Sequence, residues 1–168
     1  MKRLVVGLLA LAVGSALWVG WSWRTHPDTF RGFGNGMIST REVGQPLHVG
    51  MTWEGVDIEP RKVTLHDAEA HVVKDTADAE ISFSLCRAAD EPVGSAGGAL
   101  ERWCSEVRPI HDTSMTLNAD PRETVVMTVR PTQPGIVRVR GIDLTYTDGW
   151  RTGTEHTGSV VVVRVPAR

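Results

Sequence analysis

Apolar and polar residues alternate with a period of two along several stretches of the chain from residue 47 onward. The clearest alternating runs are Leu47–Trp53, Ala79–Cys86 and Val125–Arg130. Because successive side chains of a strand point to opposite faces of a sheet, each run predicts a half-buried β-strand. The continuously apolar run Val160–Val163 predicts a strand that is buried on both sides or centrally placed. With turn signals between about eight or nine such strands, the pattern predicts an all-β fold, an immunoglobulin-like two-sheet sandwich.

The alternation changes phase at Gly141. Val137 and Val139 occupy odd positions before it, whereas Leu144 and Tyr146 occupy even positions after it. A shift of one residue would turn every later side chain to the wrong face of the sheet. The sequence therefore predicts either a β-bulge at Gly141 or a strand that crosses there from one sheet to the other.

The beginning of the chain follows a different pattern. Residues 1–3 include two basic side chains, and residues 4–23 form an uncharged, largely apolar run. About 20 apolar residues in a helix cross a bilayer core, and basic residues beside such a segment stay in the cytoplasm. The pattern predicts a cytoplasmic tail at 1–3, a single N-terminal transmembrane helix at 4–23 and an extracytoplasmic remainder. Trp18, Trp21 and Trp23 at the outer end of the run predict an aromatic belt at the membrane interface.

A cleaved signal peptide is the alternative interpretation of this segment. Leu4–Val13 would be its apolar region and Gly14–Ala16 its small-residue cleavage site. The apolar run continues to Trp23, which favours an uncleaved anchor. Under both interpretations the rest of the chain is exported. A glycine-rich juxtamembrane spacer is predicted at 24–45, and the β-sandwich domain at 46–168.

Two cysteines, Cys86 and Cys104, lie in the exported part of the chain. An even number of cysteines in an oxidising compartment predicts a disulfide. Both cysteines lie on the polar face of their predicted strands, opposite the apolar set that includes Leu85. The sequence therefore predicts a cross-strand disulfide on the outer surface of a sheet and not through the core.

Composition and charge narrow the range of partners. The chain of 168 residues has 18 basic and 20 acidic side chains, a formal net charge of −2. Without Lys2 and Arg3 the exported part keeps 16 basic and 20 acidic residues, hence −4. A nucleic-acid-binding surface needs a clustered basic face. The sequence predicts no nucleic-acid partner, and the expected partners are the lipid bilayer and a protein in or at the membrane.

The order of short basic tail, apolar segment, spacer and all-β domain resembles that of small membrane-anchored immunoglobulin-like proteins of bacterial envelopes. The run from Gly141 to Gly158 resembles the hairpin with which such domains close. The resemblance implies a single-pass protein of the cell membrane whose folded domain lies outside the cytoplasm. It transfers no catalytic residues.

The centre of this run holds the candidate interaction residues. An Asp-Gly pair favours a turn, and protein interfaces are enriched in the residue types found at Trp150 and Arg151. Trp150, Arg151 and His156 are the predicted partner contacts. In the alternative interpretation Trp150 folds back to cap the end of the sandwich, and Arg151 pairs locally with Glu155.

The histidines of the chain suggest a metal-binding alternative. His48, His111 and Met115 are its best candidate ligands, because histidine and methionine together suit copper in an oxidising compartment. No nucleophile motif such as G-x-S-x-G occurs, so the sequence predicts neither an enzyme nor a cofactor. The predicted function is a non-enzymatic, membrane-tethered, extracytoplasmic interaction or structural subunit of an envelope-associated assembly. An extracytoplasmic copper-binding, chaperone-like protein is the alternative.

Overall fold

Ten β-strands make up most of the regular structure in a computed structural model that describes residues 15, 18–25, 28–30, 32–53 and 59–167. Residues 15 and 18–25 are helical, and Leu100–Arg102 form a 3-10 turn. The strands are β1 Gly32–Thr40, β2 Leu47–Gly50, β3 Arg61–Asp75, β4 Glu80–Ala88, β5 Ser95–Gly97, β6 Cys104–Pro109, β7 Thr113–Leu117, β8 Glu123–Arg130, β9 Gly135–Asp148 and β10 Arg151–Val165.

The strands form two five-stranded sheets, which confirms the prediction of an all-β fold in two sheets. The first sheet has the strand order β1-β10-β9-β3-β7, and the second has the order β5-β2-β8-β4-β6. Among the described strands, β1 pairs with β10 in parallel and every other pairing is antiparallel. The strands that the sequence pattern missed, β1 and β5, both contain glycine and lie at sheet edges.

One hydrophobic core lies between the two sheets and is filled by the alternating apolar residues of both. Buried side chains of the second sheet include Leu47, Leu85 and Met127, and those of the first include Leu65 and Leu144. Full burial of such a side chain contributes about 1.5–3 kcal/mol relative to leaving it in water. The period-two pattern therefore identified the core face of these strands correctly, whereas Trp53 and Val107, which share the apolar parity of their predicted strands, are exposed.

The predicted bulge at Gly141 is present in β9. The strand is continuous through this residue, and Gly141 has a φ of 78°, a conformation that glycine adopts without strain. On one side of β9 the pairing skips between Ala70 and Val72 of β3, and on the other it skips between Thr157 and Val160 of β10. The bulge restores the inward direction of the residues that follow, so no crossing between sheets occurs at this point.

The predicted boundary of the domain at residue 46 is corrected by the structure. β1, at Gly32–Thr40, lies inside the segment predicted to be a spacer, and it forms six residue pairs with β10. Thr29 and Phe30 are also buried in the domain. The segment was mistaken for a spacer because its glycines mask an edge strand. Such a strand needs to bury only one face.

The predicted transmembrane helix at 4–23 falls mostly outside the described residues, because residues 4–14, 16 and 17 are not among them. Within the described part of the chain, no helix combines the length and the apolar character needed to span a bilayer. Trp18, Trp21 and Trp23 lie in the described helical residues and have exposed side chains.

The predicted disulfide between Cys86 and Cys104 is confirmed. It links β4 to the start of β6, which are neighbours in the second sheet. Both cysteines belong to a second, smaller apolar cluster with Val126, Ala96 and Leu100, separate from the main core. The bridge therefore lies on the outer face of its sheet, as predicted, where the chain around the 3-10 turn covers it.

Candidate functional site

The tip of the β9–β10 hairpin lies against the end of the N-terminal helical segment. The Trp150 and Trp23 rings meet edge to face with their centroids 4.7 Å apart. Arg151 donates from Nε to the carbonyl of Trp23 at 3.1 Å, and its guanidinium carbon lies 5.1 Å from the centroid of that ring. Two of the predicted contact residues therefore bind the chain's own helical segment. Trp150 does not fold back over the sandwich, since 59% of its surface stays exposed.

The chain just after this segment is fastened to the same hairpin. The Glu155 carboxylate accepts hydrogen bonds from the backbone amides of Thr29 at 3.0 Å and Phe30 at 3.1 Å. The Phe30 ring packs edge to face on Tyr146 at 5.0 Å, and the Tyr146 hydroxyl donates to Glu155. The Thr29 hydroxyl donates to Asp148 at 3.0 Å. We call these five residues the N-terminal clasp, because they fix the direction in which the chain enters the domain.

The charges of the clasp are stabilised by their surroundings. Arg61 donates to Asp148 at 2.7 Å, and this hydrogen bond is the main reason that the pKa of Asp148 lies below its usual value. Burial raises the pKa of Tyr146, and the hydrogen bond to Glu155 raises it further. Near neutral pH Asp148 is therefore ionised and Tyr146 protonated, so the hydrogen bonds of the clasp keep their donors and acceptors.

The third predicted contact residue, His156, lies on the outward face of the first sheet, in a group of metal-ligating side chains. Glu69, Asp143 and His156 are directly opposite one another across β3, β9 and β10. His156 Nδ1 lies 2.7 Å from Asp143 Oδ1, and the rings of His71 and His156 meet edge to face at 5.7 Å. One ligand atom each of His71, Asp143 and His156 lies within 4.8 Å of the other two. We call these three residues the His-Asp-His cluster.

The bulge at Gly141 makes room for this cluster. A Cβ at position 141 would lie 2.8 Å from His156 Nε2 and 2.6 Å from the carbonyl oxygen of Thr157. A side chain there would therefore displace the imidazole. The same residue that corrects the phase of β9 also provides the space that the His156 ring occupies.

A second histidine on this outward face joins β3 to its neighbours. His66 Nδ1 lies 2.6 Å from Asp112 Oδ1, and His66 Nε2 lies 2.8 Å from Thr147 Oγ1. The hydrogen bond with His66 is the main cause of the lowered pKa of Asp112. Thr147 Oγ1 also lies 2.8 Å from Thr152 Oγ1 on β10. This network links β3, β9 and β10 beside the His-Asp-His cluster.

The ligand set predicted from the sequence is not assembled, and this prediction is corrected. His48 is buried in the second sheet with both ring nitrogens engaged, Nδ1 with Thr128 Oγ1 at 2.9 Å and Nε2 with the Gly98 carbonyl at 2.8 Å. Met115 is completely buried in the main core on a strand of the first sheet. His111 is exposed in the turn between β6 and β7. Strand parity alone could not show that these residues belong to different sheets and layers.

A cleft of about 350 Å³ lies elsewhere on the domain, lined by residues of β1, β2 and the segment before β5. Met37, Val49 and Val93 give it an apolar lining. Trp53 also borders it, with the Arg122 guanidinium 5.7 Å from the centroid of the indole ring. Its volume is at the lower end of the range for small-ligand clefts.

The sequence contained an overlooked signal for the His-Asp-His cluster. Counting outward from the turn at Gly149 and Trp150 places Asp143 directly opposite His156, as the observed pairing does. His71 had no comparable signal, because its position depends on the irregular pairing of β3 with β9. Only the tertiary fold could place it beside the hairpin.

Comparison with known proteins shows few similarities. No protein-family model and no curated protein matches the chain. A solved structure of a family 123 glycoside hydrolase from Clostridium perfringens, from work on glycolipid glycan hydrolysis, is similar over 78% of this chain, with 15% identity and a TM-score of 0.33. The chain spans 22% of the length of that structure.

This comparison contradicts the sequence-based prediction that the protein is not an enzyme, and we withdraw that prediction. The neighbour is named as a glycoside hydrolase. A TM-score of 0.33 carries no conclusion about the activity of this chain, so the comparison does not establish one.

Proposed function

We propose that the chain is a membrane-tethered, extracytoplasmic subunit that binds a protein in an envelope-associated assembly. Residues 4–23 form its membrane anchor, residues 1–3 face the cytoplasm, and the two sheets form an immunoglobulin-like sandwich outside. The observation that carries the proposal is the contact of Trp150 and Arg151 with Trp23, because it joins the tip of the domain to the end of the apolar segment.

The surroundings of this contact favour a bilayer surface. The side chains of Trp18, Trp21, Trp23 and Trp150 are between 53% and 71% exposed. Indole rings are stabilised at the headgroup level of a membrane, where one end is apolar and the other wet. We call these four residues the tryptophan cluster. Its burial in the interface explains why so much aromatic surface lies outside the core.

The N-terminal clasp supports the same proposal. Because Thr29 and Phe30 are bonded to Glu155, only the three residues 26–28 separate the helical segment from the folded domain. The domain would be held close to the bilayer in one orientation and would not swing on a long linker. Tethering in two dimensions raises the effective concentration of a binding surface toward neighbouring membrane proteins. The predicted partner contacts at Trp150, Arg151 and His156 lie on the hairpin that the clasp orients.

The first test concerns location. The full-length chain is expressed in its native host, membranes are washed with alkaline carbonate, and intact spheroplasts are treated with protease. We expect the chain to remain in the membrane fraction and the domain to be cleaved from outside. Recovery of the intact chain in the cytosol would refute the proposal.

The second test concerns the contact surface. A photo-crosslinking amino acid replaces Trp150 in one variant and Glu101, an exposed residue of the 3-10 turn in the second sheet region, in a matched control. We expect one discrete membrane-protein adduct from position 150 and none from position 101. Equal labelling at both positions would show that the hairpin is not a specific contact surface.

A further inference from the structure

We propose that the His-Asp-His cluster of His71, Asp143 and His156 is a binding site for a first-row divalent cation, with Cu²⁺ bound more tightly than Zn²⁺. The inference does not depend on the proposed membrane function, because it rests only on the outward face of the first sheet. It also differs from the sequence-based metal hypothesis, with which it shares no ligand.

The donor atoms are close enough to share one ion. Zinc ligands lie about 2.0–2.2 Å from the metal, so two donors on the same ion are at most about 4.4 Å apart. One donor atom from each residue of the cluster already lies within 4.8 Å of the others. The side chains of His156 and Asp143 are 55% and 43% exposed, so small rotations are sterically possible. Ligation would require adjustment of side chains and no movement of strands.

Irregularities of three adjacent strands converge on this position. The ladder of β3 is interrupted at His71, that of β9 at Gly141, and that of β10 between Thr157 and Val160. Bulges re-aim side chains and are frequent beside functional sites. His71 lies on the same outward face of β3 as Glu69, and its ring lies 5.7 Å from that of His156.

The local charges favour a bound cation. Glu69 lies directly opposite Asp143 on the outward face, and like charges in directly opposed positions of a sheet destabilise it. A divalent cation on Asp143 would offset this repulsion. Glu69 is exposed and next to the cluster, so its carboxylate is available as a further oxygen ligand.

The chemistry of the donors selects the class of ion. Two imidazoles and one carboxylate suit zinc, copper and nickel, and sites with three protein ligands leave positions open to water. The Irving–Williams order places Cu²⁺ above Zn²⁺ for the same donor set. His156 Nδ1 lies 2.7 Å from Asp143 Oδ1, and a metal ion bound by both atoms would take the place of this hydrogen bond.

The test uses full-length protein without a histidine tag, in detergent micelles, titrated separately with Cu²⁺ and Zn²⁺ by calorimetry. His71→Gln and His156→Gln remove one ligand each with little change in size. His111→Gln is the matched control, since His111 is also exposed but lies in the turn between β6 and β7. Electron paramagnetic resonance of the Cu²⁺ form reports nitrogen ligation independently of affinity.

We expect one equivalent of each ion to bind, more tightly for Cu²⁺, with two nitrogen ligands in the Cu²⁺ spectrum. Changing groups that merely orient a ligand weakens metal binding about 10–100-fold, so loss of either histidine should weaken it at least about tenfold. The His111→Gln variant should bind like the wild type. Binding that is not saturable in the micromolar range, or is unchanged in both cluster variants, would overturn the proposal. Thermal unfolding without metal verifies that each variant is folded.

Discussion

Glu123 at the start of β8 is a buried carboxylate that should stabilise the fold more than any exposed ion pair near it. Its side chain is 1% exposed, and Oε1 accepts hydrogen bonds from Arg87 at 2.8 Å and Arg108 at 2.7 Å. Oε2 accepts from the backbone amide of Thr116 at 2.6 Å. Since Thr116 lies in the first sheet and Glu123 in the second, this single side chain joins the two sheets.

The substitution Glu123→Ala should lower the free energy of unfolding by about 3 kcal/mol. Breaking a buried ion pair by removing one partner costs about 3–5 kcal/mol, because the remaining groups lose their compensation. Arg87 and Arg108 are 43% and 28% exposed, so water can solvate them once Glu123 is gone. This solvation favours a cost at the lower end of that range. The backbone amide of Thr116 would lose Glu123 as its acceptor, so we expect the decrease in the free energy of unfolding not to fall below this range.

Glu106→Ala is the matched control for this prediction. Glu106 contacts the same two arginines, at 3.5 Å and 3.4 Å, but its side chain is 45% exposed. Exposed ion pairs contribute about 0–1 kcal/mol. Urea unfolding followed by tryptophan fluorescence measures both variants against the wild type. An equal or larger loss for Glu106→Ala would refute the argument that burial of Glu123 determines its contribution.

Three further predictions follow from other contacts. Replacing both Cys86 and Cys104 by alanine should cost about 3 kcal/mol in urea unfolding, because the disulfide closes a loop with a sequence separation of 18; an unchanged midpoint would contradict this. The lowered pKa of Asp148 gives stability that is present above about pH 4 and lost as pH falls through the lowered value. Arg61→Ala should therefore reduce the decrease in the free energy of unfolding at acidic pH. Parallel plots of the free energy of unfolding against pH for the wild type and the variant would refute this. Tyr146→Phe removes a hydrogen bond to Glu155 and should cost about 1–3 kcal/mol by calorimetry, whereas a neutral result would show that the clasp does not stabilise the fold.

The sequence predicted the core of this fold well because burial imposes a strict period on strands. Leu85 and Leu144 were assigned to the inward face by parity alone, and both are fully buried. The bulge at Gly141 was predictable for the same reason, since a change of phase needs an extra residue. The disulfide was predictable because both cysteines lie on the outward face of their strands. These strands, β4 and β6, are neighbours in the second sheet.

The candidate site was less predictable because its contacts join residues far apart in the chain. Thr29 and Glu155 are 126 positions apart, and neither residue type signals the other. His48 and Met115 had suitable chemistry, but the period-two pattern does not say which of two sheets a strand joins. β1 escaped notice because its glycines resemble a linker, and its pairing partner β10 is the last strand of the chain.

The parallel pairing of β1 with β10 has a mechanical consequence. β1 is the first strand of the domain and β10 the last, and they run side by side in the same direction from Gly36 and Val160 to Thr40 and Arg164. Tension between the chain that precedes β1 and the chain that follows β10 would pull these strands in opposite senses along their length. The hydrogen bonds between the two strands would then be loaded together in shear, the geometry in which a pair of strands resists force best. They would not break one after another from one end.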